Sequence, residues 1–425
     1  MKRLVTVREY AWLTTSEVET SSLDYGQVSS SAFDWLCKLS SSFNSGAALT
    51  QIKDQSWLQL DNYVGVVETP CGTQLEILPK HFVEGDCIEE SRALLLKMMR
   101  TAFDLPTRGV GEAHLQLFNA PISEWVMHQF LEAFDHLVKR GVRFEYKRVE
   151  EEARVLRGQL NLSEQIRQRP ERQHHFQIRH DIFSPDRPEN RLLKLALERV
   201  CKATQTPSNW RLAHELRSLL AEIPASDDVK SDFANWRSDR LMSHYRCVRP
   251  WCELILNQQM PTAVAGEWKG MSLLFPMEKL FERYVAACLG RSLATDAEMT
   301  RPSNQYLCSH DGGPMFWLEP DMMIESGKLR WILDTKWKLI DSSDRKNKYG
   351  LKQSDFYQLF AYGNTYLRNN EDGRLVLIYP KRALFDKPLP VFSFSEHLVL
   401  WVLPFDLETG RLENFALCGL PLTTA

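Results

Sequence analysis

The 425-residue chain has no run of about 18 apolar residues, which excludes a membrane-spanning helix. Its opening, MKRLVTVREYAWL, carries no apolar stretch long enough for a signal peptide. The nine cysteines are scattered with no Cys-x-x-Cys, and Cys247 and Cys252 have neither a second pair nor a histidine cluster to complete a zinc site. His174 and His175 are adjacent, a spacing that suits neither a helical nor a strand-borne metal pair. The cysteines therefore read as reduced thiols, and the protein as soluble and cytoplasmic. No Gly-x-x-x-x-Gly-Lys-[Ser/Thr] occurs, so the chain offers no P-loop of its own for a nucleotide. Nor is one sign of charge in excess. The 52 basic and 55 acidic residues leave a net charge of −3, too little to attract a polyanion by overall charge.

What is present is an ordinary globular composition, 44% hydrophobic and 25% charged, in a chain long enough for two or three domains. Three segments are expected, an α+β multidomain class. Residues 1–87 read as a small β-rich domain, because WLQLDNYVGVVETPCGTQLEILPK alternates, with Pro70-Cys71-Gly72 as a turn. Residues 88–265 read as mostly helical. IEESRALLLKMMRTAF and ISEWVMHQFLEAFDHLVKRG repeat apolar residues at three- and four-residue spacing, and Gly141 closes the second. Within this segment, 142–163 form a protruding charged hairpin. Arg143–Lys147 and Val155–Leu162 read as its strands, around an acidic Glu150-Glu151-Glu152 turn. So charged a hairpin buries little of itself and is suited to meeting a partner. Pro261–Gly270 reads as the boundary to a C-terminal α/β domain, 266–425, with helices from Met277 and over Asp355–Leu367 and a core strand in RLVLIYPKR.

The chemistry is concentrated in residues 316–338, FWLEPDMMIESGKLRWILDTKWK. Phe316–Ile324 and Leu329–Trp337 read as two strands joined by a Glu325-Ser326-Gly327-Lys328 turn. Side-chain alternation puts Asp334 and Lys336 on one face, with Asp321 able to stand opposite on the partner strand. Apolar flanks embed both aspartates in core strands, where charges usually serve a site rather than decorate a surface. Two carboxylates and an ammonium suit a hard cation such as Mg²⁺ and the activation of a water, the local needs of phosphodiester hydrolysis. Downstream, Arg345, Lys346, Lys348 and Lys352 make a basic run that fits either a DNA backbone or a plain loop.

Pro320-Asp321 followed by Asp334-Thr335-Lys336 resembles the motif of the PD-(D/E)xK nucleases. Gln358 and Tyr362 in DFYQLFAYG are similar to a Gln-x-x-x-Tyr element found in several of them, and MEKLFERYVAACL is similar to the first helix of their fold, with Glu282 as an accessory acid. The order of these elements resembles the McrC family, the nuclease subunits of McrBC modification-dependent restriction systems, over roughly residues 88–405. The resemblance implies a PD-(D/E)xK domain with a mixed central sheet that hydrolyses DNA with Mg²⁺, Mn²⁺ being an alternative ion. Asp321, Asp334 and the carbonyl of Thr335 would hold the ion, Lys336 would act on the attacking water, and Gln358 and Tyr362 would position the phosphate.

The resemblance also implies a hexameric McrB-like AAA+ GTPase or ATPase as partner. That partner would supply the nucleotide site this chain lacks and recognise base-modified double-stranded DNA, and this subunit would stimulate its hydrolysis. The charged hairpin is similar to the finger that enters the McrB ring, which makes Glu150, Glu151, Glu152, Arg154 and Arg157 the candidate contacts. One centre cuts one strand, so double-strand cleavage calls for a second copy. Shorter family members lack the segment ending in EILPK, implying that the nuclease does not require it. Two other readings fit the same residues: a stand-alone repair or resolvase-type nuclease, and a non-catalytic activator of an AAA+ motor.

Overall fold

A computed structural model describes residues 4–18, 22–41, 49–52, 56–80, 87–106, 121–172, 174–256, 273–367 and 373–423. The described residues within Met1–Pro106 and Leu274–Ala425 gather into one compact unit, and those within Phe118–Leu273 into a second. The boundary expected at Pro261–Gly270 lies outside the described residues. The first unit joins the β-rich N-terminal part to the C-terminal α/β part. It also takes the helix Ile88–Ala102, which helical periodicity alone groups with the middle segment.

The centre of the first unit is a seven-stranded mixed sheet. Leu329–Thr335 runs parallel to Arg374–Pro380, which runs parallel to Val399–Asp406. On its other side Leu329–Thr335 is antiparallel to Met322–Ser326. Leu375–Pro380 is buried throughout, the continuous apolar run expected of a parallel strand covered on both faces. The helices Met277–Ser292 and Gln353–Tyr366 supply apolar residues to this core, among them Phe281, Leu359 and Tyr362.

The expected strand from Phe316 to Ile324 is in fact divided. Gly313–Leu318 pairs with Gln305–His310 as a separate two-stranded ribbon, and only Met322 onward joins the main sheet. Pro320 has no amide to give a ladder, which accounts for a break here. The register couples Met322 with Leu333, so one further step sets Asp321 across from Asp334.

The N-terminal part forms two four-stranded sheets. One contains the strand Leu273–Pro276 alongside Tyr63–Glu68, and the amide of Met277 donates to the carbonyl of Asn62 at 3.0 Å. The first helix of the α/β part is thus launched from the N-terminal sheet. Arg92 on the helix Ile88–Ala102 is held to the buried Glu76 at 2.7 Å.

In the second unit, the helices Ile122–Arg140, Pro188–Ala203, Pro207–Leu219 and Arg249–Leu256 bury Phe130, Phe134, Leu193, Leu197 and Trp251. The charged hairpin differs from its expected form. Glu145–Ala153 is one uninterrupted strand, paired over its whole length with Phe176–Ser184, and Gln159–Leu160 flanks the other side of the latter. Glu150, Glu151 and Glu152 therefore lie within a strand, not at a turn. Nearby cations allow this: Arg179 on the facing strand reaches Glu150 at 2.5 Å, and Arg172, in the turn before that strand, reaches Glu152 at 3.3 Å. The tighter turn comes at Gly158, whose φ of +69° and close approach to the Arg179 carbonyl leave no room for a side chain. No helix among the described residues is long and apolar enough to cross a membrane.

Candidate active site

Asp321, Asp334 and Lys336 converge at the rim where the strands Met322–Ser326 and Leu329–Thr335 meet. Asp334 is 2% exposed. The Lys336 ammonium lies 2.6 Å from its Oδ2, a close ion pair within the protein. Asp321 is half-buried, and its Oδ2 accepts from both the amide and the hydroxyl of Thr335 at 2.7 Å. Thr335 is the last residue of its strand, so the side chain of Asp321 is locked to the strand end that presents Asp334.

Burial pushes the Asp334 carboxyl up to about 6, the Asp321 charge adds to the rise, and Lys336 opposes it. Burial works against the charge on Lys336 as well, yet Asp334 and Asp321 outweigh it and raise the ammonium above its usual range. Lys336 is therefore charged at neutral pH and acts as a donor. Its Nζ donates to Gln358 Oε1 at 3.3 Å, Gln358 Nε2 donates to the Tyr362 hydroxyl at 2.6 Å, and that hydroxyl donates to the carbonyl of Glu319 at 3.1 Å. One turn on, the Tyr366 hydroxyl donates to the carbonyl of Leu318 at 2.6 Å. Gln358, Tyr362 and Tyr366 form one stripe at four-residue spacing on a single helix. The stripe fixes Lys336 at one end and the connector leading to Pro320-Asp321 at the other. Tyr362 is 3% exposed, with burial pushing its hydroxyl up to about 12, so it stays protonated in this chain of bonds.

Glu282 is not brought into the group. It is buried on the helix Met277–Ser292, where Lys279 holds its carboxylate at 2.9 Å and Arg301 makes a second ion pair. No three His, Cys, Asp or Glu side chains among the described residues converge as a ready-made metal cage. The acids come as a pair. Asp355, by contrast, was not singled out from sequence. It is 6% exposed in the first turn of the helix Gln353–Tyr366, bonded to Lys338 at 2.9 Å and to the Tyr379 hydroxyl at 3.4 Å, and its charge acts on both Asp334 and Lys336. Its signal lay in spacing: Lys338 shares strand parity with Lys336, and Asp355 precedes Gln358 by one helical turn.

The candidate hairpin residues have partners of their own. Glu150 meets Arg179, Glu151 meets Arg157 at 2.5 Å, Glu152 meets Arg172 and His175, and Arg154 donates to His175 at 3.4 Å. The hairpin also leaves aromatic rings open beside its exposed charges. Tyr146 is 74% exposed, and Phe183, stacked on Phe144 at 5.0 Å, is 59% exposed.

A family model described as the McrBC 5-methylcytosine restriction system component matches residues 58–380. No curated protein matches the chain. Among solved structures, a chain of the refined half-complex from the tetradecameric assembly of Thermococcus gammatolerans McrB AAA+ hexamers with bound McrC is similar at 18% identity. The TM-score is 0.64, and 97% of each chain is covered. A chain of the cryo-EM structure of the Thermococcus gammatolerans McrBC complex is similar at 22% identity and a TM-score of 0.52, covering 68% of this chain and 87% of that one.

Proposed function

The chain belongs to the family of McrBC restriction system components, and from its site we propose that it is the Mg²⁺-dependent DNA endonuclease subunit of such a system. The observation that carries this reading is the meeting of Asp321, Asp334 and Lys336 at one buried strand end. The donor set fits a hard cation. Asp334 is a buried carboxylate held, among the described residues, only by Lys336 at its Oδ2, and both Thr335 bonds land on Oδ2 of Asp321, leaving its Oδ1 for a ligand. Asp321, Asp334 and the Thr335 carbonyl would hold the ion; Glu282, already doubly paired, is not needed. When bound, Mg²⁺ would polarise the scissile phosphate and offset the mutual repulsion of the two acids.

The chain's own residues then have defined tasks. Lys336 keeps its proton and donates to the attacking water or to a phosphate oxygen, stabilising charge as it develops. Gln358 and Tyr362 act through Lys336 and the Asp321 connector, holding both in register. The exposed Arg345, Lys346, Lys348 and Lys352 lie on the loop before this helix and suit contact with a DNA backbone. The partner, by analogy with the similar assemblies of McrB AAA+ hexamers with bound McrC, would be a ring-forming AAA+ GTPase or ATPase whose hydrolysis this chain stimulates.

Asp321→Ala and Lys336→Ala are each expected to abolish cutting of modified double-stranded DNA in the presence of Mg²⁺, partner and nucleotide, with the thermal unfolding transition retained. Full cleavage by either variant removes the assignment. Strong cutting of plain DNA without a partner would instead favour a stand-alone nuclease.

A further inference from the structure

The ribbon of Gln305–His310 and Gly313–Leu318 is a two-stranded sheet of its own, joined by hydrogen bonds to neither the main sheet nor the N-terminal ones. Its turn, Asp311-Gly312, has φ of +47° and +76°, the paired positive values of a tight hairpin. Every residue from Gln305 to His310 is exposed, and so are Pro314 to Trp317 on the returning strand. A ribbon bare on both faces buries too little to be stable by itself. Yet it is rich in apolar side chains: Tyr306, Leu307 and Met315 are exposed, with Phe316 at 64% and Trp317 at 55%. Contiguous apolar surface of this kind marks a binding site. Trp317 stands edge-on to Tyr306 across the ladder at 5.9 Å. The ladder skips Leu307 and Phe316, and Phe316 has a φ of +59°, a left-handed backbone that a bulky aromatic adopts only under strain.

The ribbon is fixed at its root to the candidate active site. Leu318 is buried, and the carbonyls of Leu318 and Glu319 accept from Tyr366 and Tyr362, on the helix whose Gln358 holds Lys336. Four positions separate Trp317 from Asp321, about 14 Å at full extension. That is about four base-pair steps, so DNA held for cutting at Asp321 lies within reach of the ribbon. Beside the root, a cavity of about 540 Å³ has Arg301, Asn304, Gln305 and Arg330 in its lining. Arg301 pairs with Glu282, and Arg330 with Glu325 at 2.7 Å, and each guanidinium keeps further donors for a phosphate. The ribbon itself holds no Lys, Arg or Glu, and His310 and Asp311 at its turn lie 3.7 Å apart as a pair. It has little to offer a phosphate. What it presents is flat apolar rings, which match the faces of bases, and an intact duplex covers those faces with neighbouring pairs.

We propose that the ribbon is a wedge that enters DNA beside the scissile phosphate. Phe316 and Trp317 stack on a base at an opened step, and the backbone lies along Arg301 and Arg330. DNA as the occupant rests on the nuclease reading. The test is fluorescence anisotropy of the full chain, in chelator, without partner and at about 50 mM salt, where phosphate contacts are strong. Two labelled duplexes of one sequence are compared, one intact and one with a single-nucleotide gap. The gap removes the work of unstacking, so the gapped duplex is expected to bind about tenfold more tightly. Trp317→Ala and Phe316→Gly, the latter suited to the positive φ, should each bring the two affinities within about twofold of one another. Neither removes a phosphate contact, so the slope of log affinity against log salt should stay as in wild type. Both rings are more than half exposed, so the thermal unfolding transition should be retained. Equal binding of the two duplexes by wild type, no binding of either, or a preference that survives both substitutions overturns the proposal. So does a wild-type dimer in sedimentation that Trp317→Ala dissociates with the DNA preference intact, which assigns the ribbon to a second copy. Cutting plays no part in the readout. If Asp321→Ala still cleaves, the nuclease reading falls and the preference stands; if the preference is absent while cleavage needs Asp321, only the wedge falls.

Discussion

At the scale of single residues, the site is an arrangement of charge that the folded chain bears at a cost. Asp334 is buried beside Asp321, and a carboxyl raised from 3.8 to about 6 corresponds to roughly 3 kcal/mol for keeping its charge at neutral pH. The sign follows from linkage: a raised folded value means stability that is present at low pH and lost as pH rises through about 6. Lys336 is raised above an already high value and does not titrate in that range. In metal-free protein, Asp334→Asn is therefore expected to raise the melting temperature relative to wild type at pH 8, with the gain fading by pH 5. A difference that is the same at both values contradicts this account. Mg²⁺ should stabilise wild type more at pH 8 than at pH 5, and Asp334→Asn little at either. Glu282 gives a contrasting case. Its carboxylate serves Lys279 and Arg301, so Glu282→Gln should leave Mg²⁺ affinity, followed by titration calorimetry, within about twofold of wild type, far less than the tenfold or more that an altered ligand costs.

At the scale of elements, the hairpin in the second unit owes its direction to residues outside it. Asn190, on the helix Pro188–Ala203, donates to the carbonyls of Arg143 at 2.9 Å and Pro185 at 2.7 Å, the entry and exit of the hairpin. The Tyr245 hydroxyl donates to Asn190 at 2.8 Å and accepts from the amide of Arg143 at 2.9 Å. Asn190→Ala removes three bonds at a buried point and is expected to cost about 3 kcal/mol, read from chemical denaturation, and to weaken stimulation of the partner's hydrolysis. Tyr146→Ala makes the opposite pairing. At 74% exposure the ring contributes little to stability, so the unfolding midpoint should hold within about 0.5 kcal/mol while stimulation of the partner falls. A Tyr146→Ala chain with normal stimulation would turn attention back to the charged positions.

At the scale of the whole molecule, the N-terminal β part belongs to the same compact unit as the candidate site. It pairs with the strand that launches the helix Met277–Ser292, and Glu9 grips Trp337 just beyond the motif. Removing residues 1–87 strips the pairing partner from the strand Leu273–Pro276 and uncovers its buried Leu273, Leu274 and Phe275. A chain beginning at Ile88 is expected to lose the sharp thermal transition and the near-ultraviolet dichroism of its buried aromatics, even though every proposed metal ligand remains. Retention of both would show that the rest of the unit folds without this part.

The motif itself was legible in the sequence, because Asp321, Asp334 and Lys336 owe their relationship to local rules: strand alternation, a two-stranded return and apolar flanks. The helix of Gln358 and Tyr362 and the buried strand of RLVLIYPKR follow from periodicity in the same way. Long-range contacts decided the rest. Periodicity does not say which strand pairs with which, so the acidic run Glu150–Glu152 reads as a turn until Phe176–Ser184 supplies facing cations. Nor could spacing show that Arg301 and Lys279 take up Glu282, or that Glu9 lies against Trp337, 328 positions away. Sequence patterns report which face a side chain takes on its own element; only the packing of elements reports which charges end up beside one another.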